Sequence, residues 1–265
     1  MSDMPAPDLQ GPYDEFLERL GDIRRIVGAV EACYRQPGVL TTTRPTIDLS
    51  SVGPTTSNNT NSMAIVFLAS SYEEFVREEI SECARLLASK YASLPDQVRH
   101  SVRSSYWTTS LQRLSYARGI LTKTQPKSPD VATLAKIRPI IEVAQLFVIN
   151  DDPTRIDPAT AVHHSNNFRP RVVDEIATRI GIKNLTARVA EGTRIKTYFG
   201  VATASAAANL LPQRLDDFFD RRNEIVHSLS STTGYGVDYV LDWISLFDAV
   251  ADSTKDALGR AISTW

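Results

Sequence analysis

Arg222, Asn223 and His227 are the residues of this chain whose types and spacing could do chemistry together. A guanidinium stabilises charge that builds on a phosphate, and an imidazole takes or gives a proton near neutral pH. Such a set needs no metal to cleave RNA. The histidine would take the 2′-hydroxyl proton or protonate the leaving oxygen, and the arginine would stabilise the phosphorane. Spacing by itself is a weak signal. With 4 histidines and 22 arginines in 265 residues, roughly one such match arises by accident.

Context strengthens it. On a helix, residues 211–229 gather Leu215, Phe218, Phe219, Ile225, Val226 and Leu229 into one apolar stripe. Arg222 falls in the middle of that stripe. Arg221 projects about 100° away, among Arg214, Asp217 and Ser228. A charge on a core-facing stripe is costly unless it is paired. Arg222 must therefore meet a buried carboxylate, a partner subunit or a bound anion. Asn223 and His227, four residues apart, share a face beside the stripe. Arg222 is thus expected to be shielded and Arg221 exposed.

Other readings stand beside these. Arg222 could make a structural salt bridge to Glu73 or Glu74, and the same carboxylates could orient a catalytic arginine. His227 could cap a helix end, and Asn223 could bond locally. His163 and His164 read as surface-loop residues rather than metal ligands, with no cysteine nearby and no partner at helical spacing. His100 reads as a solvated helix residue. Tyr106, Trp107 and Tyr116 could stack bases, but their spacing suits core packing better. Asp216, Asp217, Asp220 and Glu224 form a solvated acidic face.

The elements that would position these residues are helical. Apolar residues recur at helical spacing over 13–35 (Phe16, Leu20, Ile23, Ile26, Val27, Val30) and again over 62–94. The second run lacks Gly and Pro and predicts the longest helix. Residues 37–61, 120–132 and 150–168 read as loops, and Pro95–Gly119, Ala132–Val148 and Arg171–Ile180 as helices. Pro139 should bend or start its helix. The last two helices are expected from Leu211 or Pro212 to Leu229 and over Val237–Ile262, joined by a polar loop at 230–236. Strand alternation and internal repeats are not found. The expected class is all-α, with an N-terminal helix and loop (1–61) preceding one helical domain (62–265).

Composition agrees with a globular protein: 42% hydrophobic, 23% charged, and long enough to bury a core unaided. Cys33 and Cys83 form no CxxC and suit a reducing compartment. A net charge of −2 excludes a molecule that attracts nucleic acid over its whole surface, so any such site is local. The excess of arginine over lysine suits bidentate phosphate contacts. With no long apolar run and no signal-like start, the expectation is a cytoplasmic protein without membrane association.

Arg-Asn-x-x-x-His late in an all-helical chain, before a short loop and a final helix, resembles the signature of the HEPN ribonucleases. The stretch Ser70-Ser71-Tyr72-Glu73-Glu74-Phe75-Val76 resembles their early helix. His164-Ser165-Asn166-Asn167-Phe168, leading to Ile180-Gly181-Ile182, is similar to the segment that precedes the motif in the RiboL-PSP-HEPN and MAE_28990-type HEPN families. The likeness spans roughly residues 62–262, and its sharp part is the Arg-Asn-x-x-x-His motif. One departure is Ser228, where the family often has Gly.

The resemblance implies a HEPN-like helical bundle, a homodimer with two motif helices facing one cleft, and metal-independent cleavage of RNA, with tRNA one candidate. It implies Arg222, Asn223 and His227 as catalytic residues, Glu73 and Glu74 as supporting ones, no cofactor, and a toxin or anti-phage role with a cognate antitoxin. The alternative is a non-catalytic module of the same fold that binds nucleotide or a partner protein.

Overall fold

Stretches free of Gly and Pro and striped at helical spacing become the long helices. The computed structural model describes residues 7–36, 49–123, 131–227 and 235–265, and among these no strand occurs. The α-helices are α1 (Gln10–Arg35), α2 (Pro54–Lys90), α3 (Asp96–Lys123), α4 (Val131–Glu142), α5 (Pro158–Ala161), α6 (Pro170–Arg179), α7 (Leu185–Ala190), α8 (Thr193–Phe199), α9 (Ala204–His227) and α10 (Val237–Ile262). The protein is all-α. No helix among the described residues is long and apolar enough to cross a membrane.

Several boundaries differ from the sequence expectation. Helix α2 begins at Pro54 rather than Ser62. Proline suits a first helical position, where its missing N–H is not needed. The polar residues after it stay helical because tertiary partners outweigh weak propensity. Ser57 is buried and donates to Glu31 at 3.2 Å, and buried Asn61 donates to the Tyr235 carbonyl at 2.6 Å. The rest of the expected first loop, residues 37–48, lies outside the described residues, as do 124–130 and 228–234.

Helix α9 likewise starts at Ala204, not near Pro212. The alanines of 204–208 are strong helix formers, and Thr203 Oγ1 caps the start by accepting from the Ala206 N–H at 3.2 Å. Pro212 then lies inside the helix. Pro139 does not stop α4, which continues as a π-helix over Val143–Ile149. Helices α7 and α8 were not foreseen, because six and seven residues carry too little periodicity to read.

The described residues pack into two units. One combines parts of Met1–Leu9, Val76–Arg188 and Lys255–Trp265; the other combines Gln10–Phe75 and Val189–Thr254. The second unit holds the motif helix. Its core is aromatic: Phe218 meets Phe247 at 4.6 Å and Trp243 at 5.1 Å, and Tyr72 meets Phe247 at 4.8 Å. Burying each such side chain contributes about 1.5–3 kcal/mol. Gly192 lets the turn before α8 approach α10, since a Cβ there would stand 2.7 Å from the Ser253 Cβ.

In the first unit, Tyr106 is fully buried against Phe147 at 5.1 Å, whereas Trp107 is exposed. The side chain of Tyr116 lies outside the described residues. Gly181 has φ +84°, and a Cβ there would meet Val98 at 2.9 Å, so only glycine lets this turn close on α3. His163 and His164 lie in the loop before α6, half-buried rather than on the open surface. The buried guanidinium of Arg179 donates to the carbonyls of Ala161 (3.0 Å) and His163 (2.5 Å) and to Glu175 (2.8 Å). That hub bolts the histidine segment to α6, and His164 Nε2 faces Glu175 at 3.5 Å.

Candidate active site

Arg222, Asn223 and His227 occupy the last two turns of α9. The helix is held there by Leu215, Phe218 and Phe219, all buried. The wheel overstates how far that stripe is covered. Ile225 is half-buried and Val226 exposed, so packing against the core ends after Phe219. Leu229 and Ser228 lie outside the described residues. Arg222 consequently stands at the rim of the core, half-buried, rather than in its middle. A rim position lets the aliphatic stem bury while the guanidinium keeps one open side.

The two neighbouring arginines are in opposite states. Arg221 is exposed and paired with Glu224 at 2.7 Å. Arg222 makes no ion pair among the described residues. Its Nη1 donates to Asn223 Oδ1 at 3.2 Å, and its Nε is buried without a hydrogen-bond partner. A buried donor left unsatisfied costs about 1–3 kcal/mol. The first of the three partners expected for Arg222, a buried carboxylate, is therefore not found here. Glu73 is half-buried and Glu74 exposed on α2, and neither pairs with Arg222. His227, the final residue of α9, is exposed, and it shares a helix face with Asn223.

Two further residues position this end of the helix. Tyr235, at the approach to α10, accepts from Asn61 Nδ2 with its backbone carbonyl at 2.6 Å. Its ring stacks on Tyr239 at 5.0 Å, and Tyr239 packs on Trp243 at 5.8 Å. Asn61 and Tyr235 are 174 residues apart, and neither belongs to a motif, so spacing gave no signal for them. Deeper along α9, Arg214 lies 3.8 Å over the Trp243 ring and pairs with Asp242. The acidic face is solvated as expected at Asp217, Asp220 and Glu224.

The site is thus a cation without a carboxylate counterion among the described residues, an amide bonded to it, and an accessible imidazole at the end of one helix. Comparison with curated proteins and with solved structures returned no match. The family model for RiboL-PSP-HEPN matches residues 46–260, a span that includes α2, α9 and nearly all of α10. The chain is a member of the RiboL-PSP-HEPN family.

Proposed function

We propose that this protein is a metal-independent endoribonuclease, with Arg222, Asn223 and His227 as its catalytic residues. The observation that carries the reading is the state of Arg222, half-buried with an unpartnered Nε and no counterion while Arg221 is neutralised by Glu224. A phosphate on the open side of the guanidinium would supply the missing counter-charge. Asn223, already bonded to the guanidinium, holds its orientation.

In this reading, the ribose 2′-hydroxyl attacks the adjacent phosphorus and His227 accepts its proton. The bond to the 5′-oxygen breaks, and His227 passes the proton it has taken to that oxygen as it leaves. The products are a 2′,3′-cyclic phosphate and a 5′-hydroxyl. Arg222 stabilises the extra charge on the phosphorane between the two steps. The active form is a two-fold dimer that pools two motif helices in one cleft. Ile225 and Val226, incompletely covered in the single chain, supply apolar area for that contact. The biological setting that fits such an enzyme is a toxin or anti-phage effector restrained by an antitoxin, with tRNA as a compact target.

The test is incubation of the purified protein with tRNA and total RNA in EDTA, beside His227→Ala. Cleavage by the parent alone is expected. Equal cleavage by both proteins, or by neither, overturns the reading.

A further inference from the structure

A polar groove in the first unit is not explained by the motif on α9. One wall is a face of α3, where Gln97, Ser101, Ser104, Thr108 and Gln112 recur at three- and four-residue spacing. That stripe is about 22 Å long at 1.5 Å per residue. Its first part borders a cavity of about 800 Å³ faced by α6, with Arg171 and Lys183 in the wall. Its far end, at Gln112, borders a cavity of about 780 Å³ lined by His163, His164 and Asn166. Glu175 lines both, so the two cavities adjoin along one wall.

The charges in this groove are unbalanced in a way that suits an anion. Glu175 is paired with Arg179 at 2.8 Å, and Asp174 accepts the Thr186 N–H at 2.7 Å, which leaves Arg171 and Lys183 against the one charge of Asp174. Arg171 and Lys183 are exposed and make no ion pair among the described residues. Unpaired cations facing a row of hydroxyls and amides match what sugar–phosphate backbones are contacted by. At the other end the groups suit base edges. His164 Nδ1 accepts the Asn166 N–H at 3.0 Å, which leaves its Nε2 as the protonated nitrogen. Burial and the charges of Arg113 and Arg179 hold the His163 imidazole below its ordinary range, hence neutral.

An aromatic side chain completes the pattern. Trp107 is 42% exposed on α3, within about 60° of Ser104 around the helix. Trp107 lines neither cavity; from this adjacent face of α3 its exposed indole offers a platform for a base of a strand that overruns the groove edge.

We propose that this groove on α3 and α6 binds a single strand of RNA, with Arg171 and Lys183 on the phosphates and Trp107 stacked on a base. The inference rests on RNA being the substrate of the α9 site, and it adds a place where that RNA is held without being cut.

The experiment uses full-length protein carrying His227→Ala, so that the probe stays intact. A fluorescein-labelled single-stranded RNA of about twelve nucleotides is titrated by anisotropy at several salt concentrations. Arg171→Glu with Lys183→Glu is expected to weaken binding at least about tenfold and to lower the salt slope by about two. Trp107→Ala should weaken binding and reduce the quenching of tryptophan fluorescence by RNA, the remainder coming from half-buried Trp265, since Trp243 is buried. Lys136→Glu with Arg138→Glu, the same charge change on exposed residues of α4, should leave the affinity unchanged. Circular dichroism checks that each variant is folded.

Unchanged affinity in the Arg171/Lys183 variant, an equal loss in the α4 control, or full competition by polyglutamate each overturns the groove. Groove-dependent binding by a parent that never cuts RNA supports the groove while removing the catalytic reading of α9.

Discussion

Arg222 Nη1 donates to the Oδ1 of its sequence neighbour Asn223 across 3.2 Å, and that amide is its one hydrogen-bond partner among the described residues. An amide oxygen orients a guanidinium without cancelling its charge. The cation therefore stays available to a phosphate, with its Nε already desolvated.

Removing Arg222 should separate activity from stability. Arg222→Met keeps the stem and discards the unsatisfied donor, so the melting temperature should stay level or rise, by up to about 1–3 kcal/mol in stability. Cleavage should fall by about 10²–10³-fold, the loss typical of a transition-state donor. Arg222→Lys should not restore it, since an ammonium lacks the planar fork. Calorimetry and single-turnover cleavage measure the two effects. A variant that unfolds would mean the arginine is structural.

Arg221 should behave oppositely. It is exposed and tied to Glu224, a surface pair worth about 0–1 kcal/mol. Arg221→Ala should leave cleavage within a few-fold of the parent. A loss as large as that of Arg222→Met would transfer the catalytic spacing to Arg221 and His227.

Glu79 should make stability depend on pH. It is fully buried with neither carboxyl oxygen hydrogen-bonded, and burial pushes it from an ordinary value near 4.5 up to about 8. Lys255 opposes the rise, while Asp8 and Glu78 add to it. The folded chain keeps a proton that the unfolded chain has released between those values. Stability therefore falls as pH rises from about 4.5 to about 8, by an amount on the order of 5 kcal/mol. Glu79→Gln removes the ionisation while keeping the shape. It should raise the melting temperature clearly at pH 8.5 and little at pH 4.5. Equal shifts at both values would mean the carboxyl is not protonated in the fold.

Gly192→Ala should destabilise the second unit by about 1–3 kcal/mol, because the new methyl runs into Ser253 on α10. Ser253→Gly in the same chain should recover part of the loss by removing the opposing Cβ. Denaturant titration of the single and double variants checks the coupling, and additive losses would count against the contact.

The all-α class, the span of α10 and the identity of the motif helix were legible in the sequence, because helical periodicity is local and repeats over many turns. That Arg222 is less exposed than Arg221 was legible for the same reason, since adjacent residues on a helix point about 100° apart. Arg222 is nonetheless half-buried and not shielded as fully as the wheel suggests. What the wheel could not supply was where neighbouring helices stop covering a stripe. Val226 has the sequence character of a core residue, yet it is exposed because packing ends after Phe219. Tertiary structure alone brought Asn61 to the Tyr235 carbonyl, and it alone committed Arg179 to the histidine segment, turning a stretch that reads as surface loop into the wall of a cavity. Each depends on contacts between residues far apart in the chain, which hydrogen bonding and close packing choose and which no spacing in the sequence encodes.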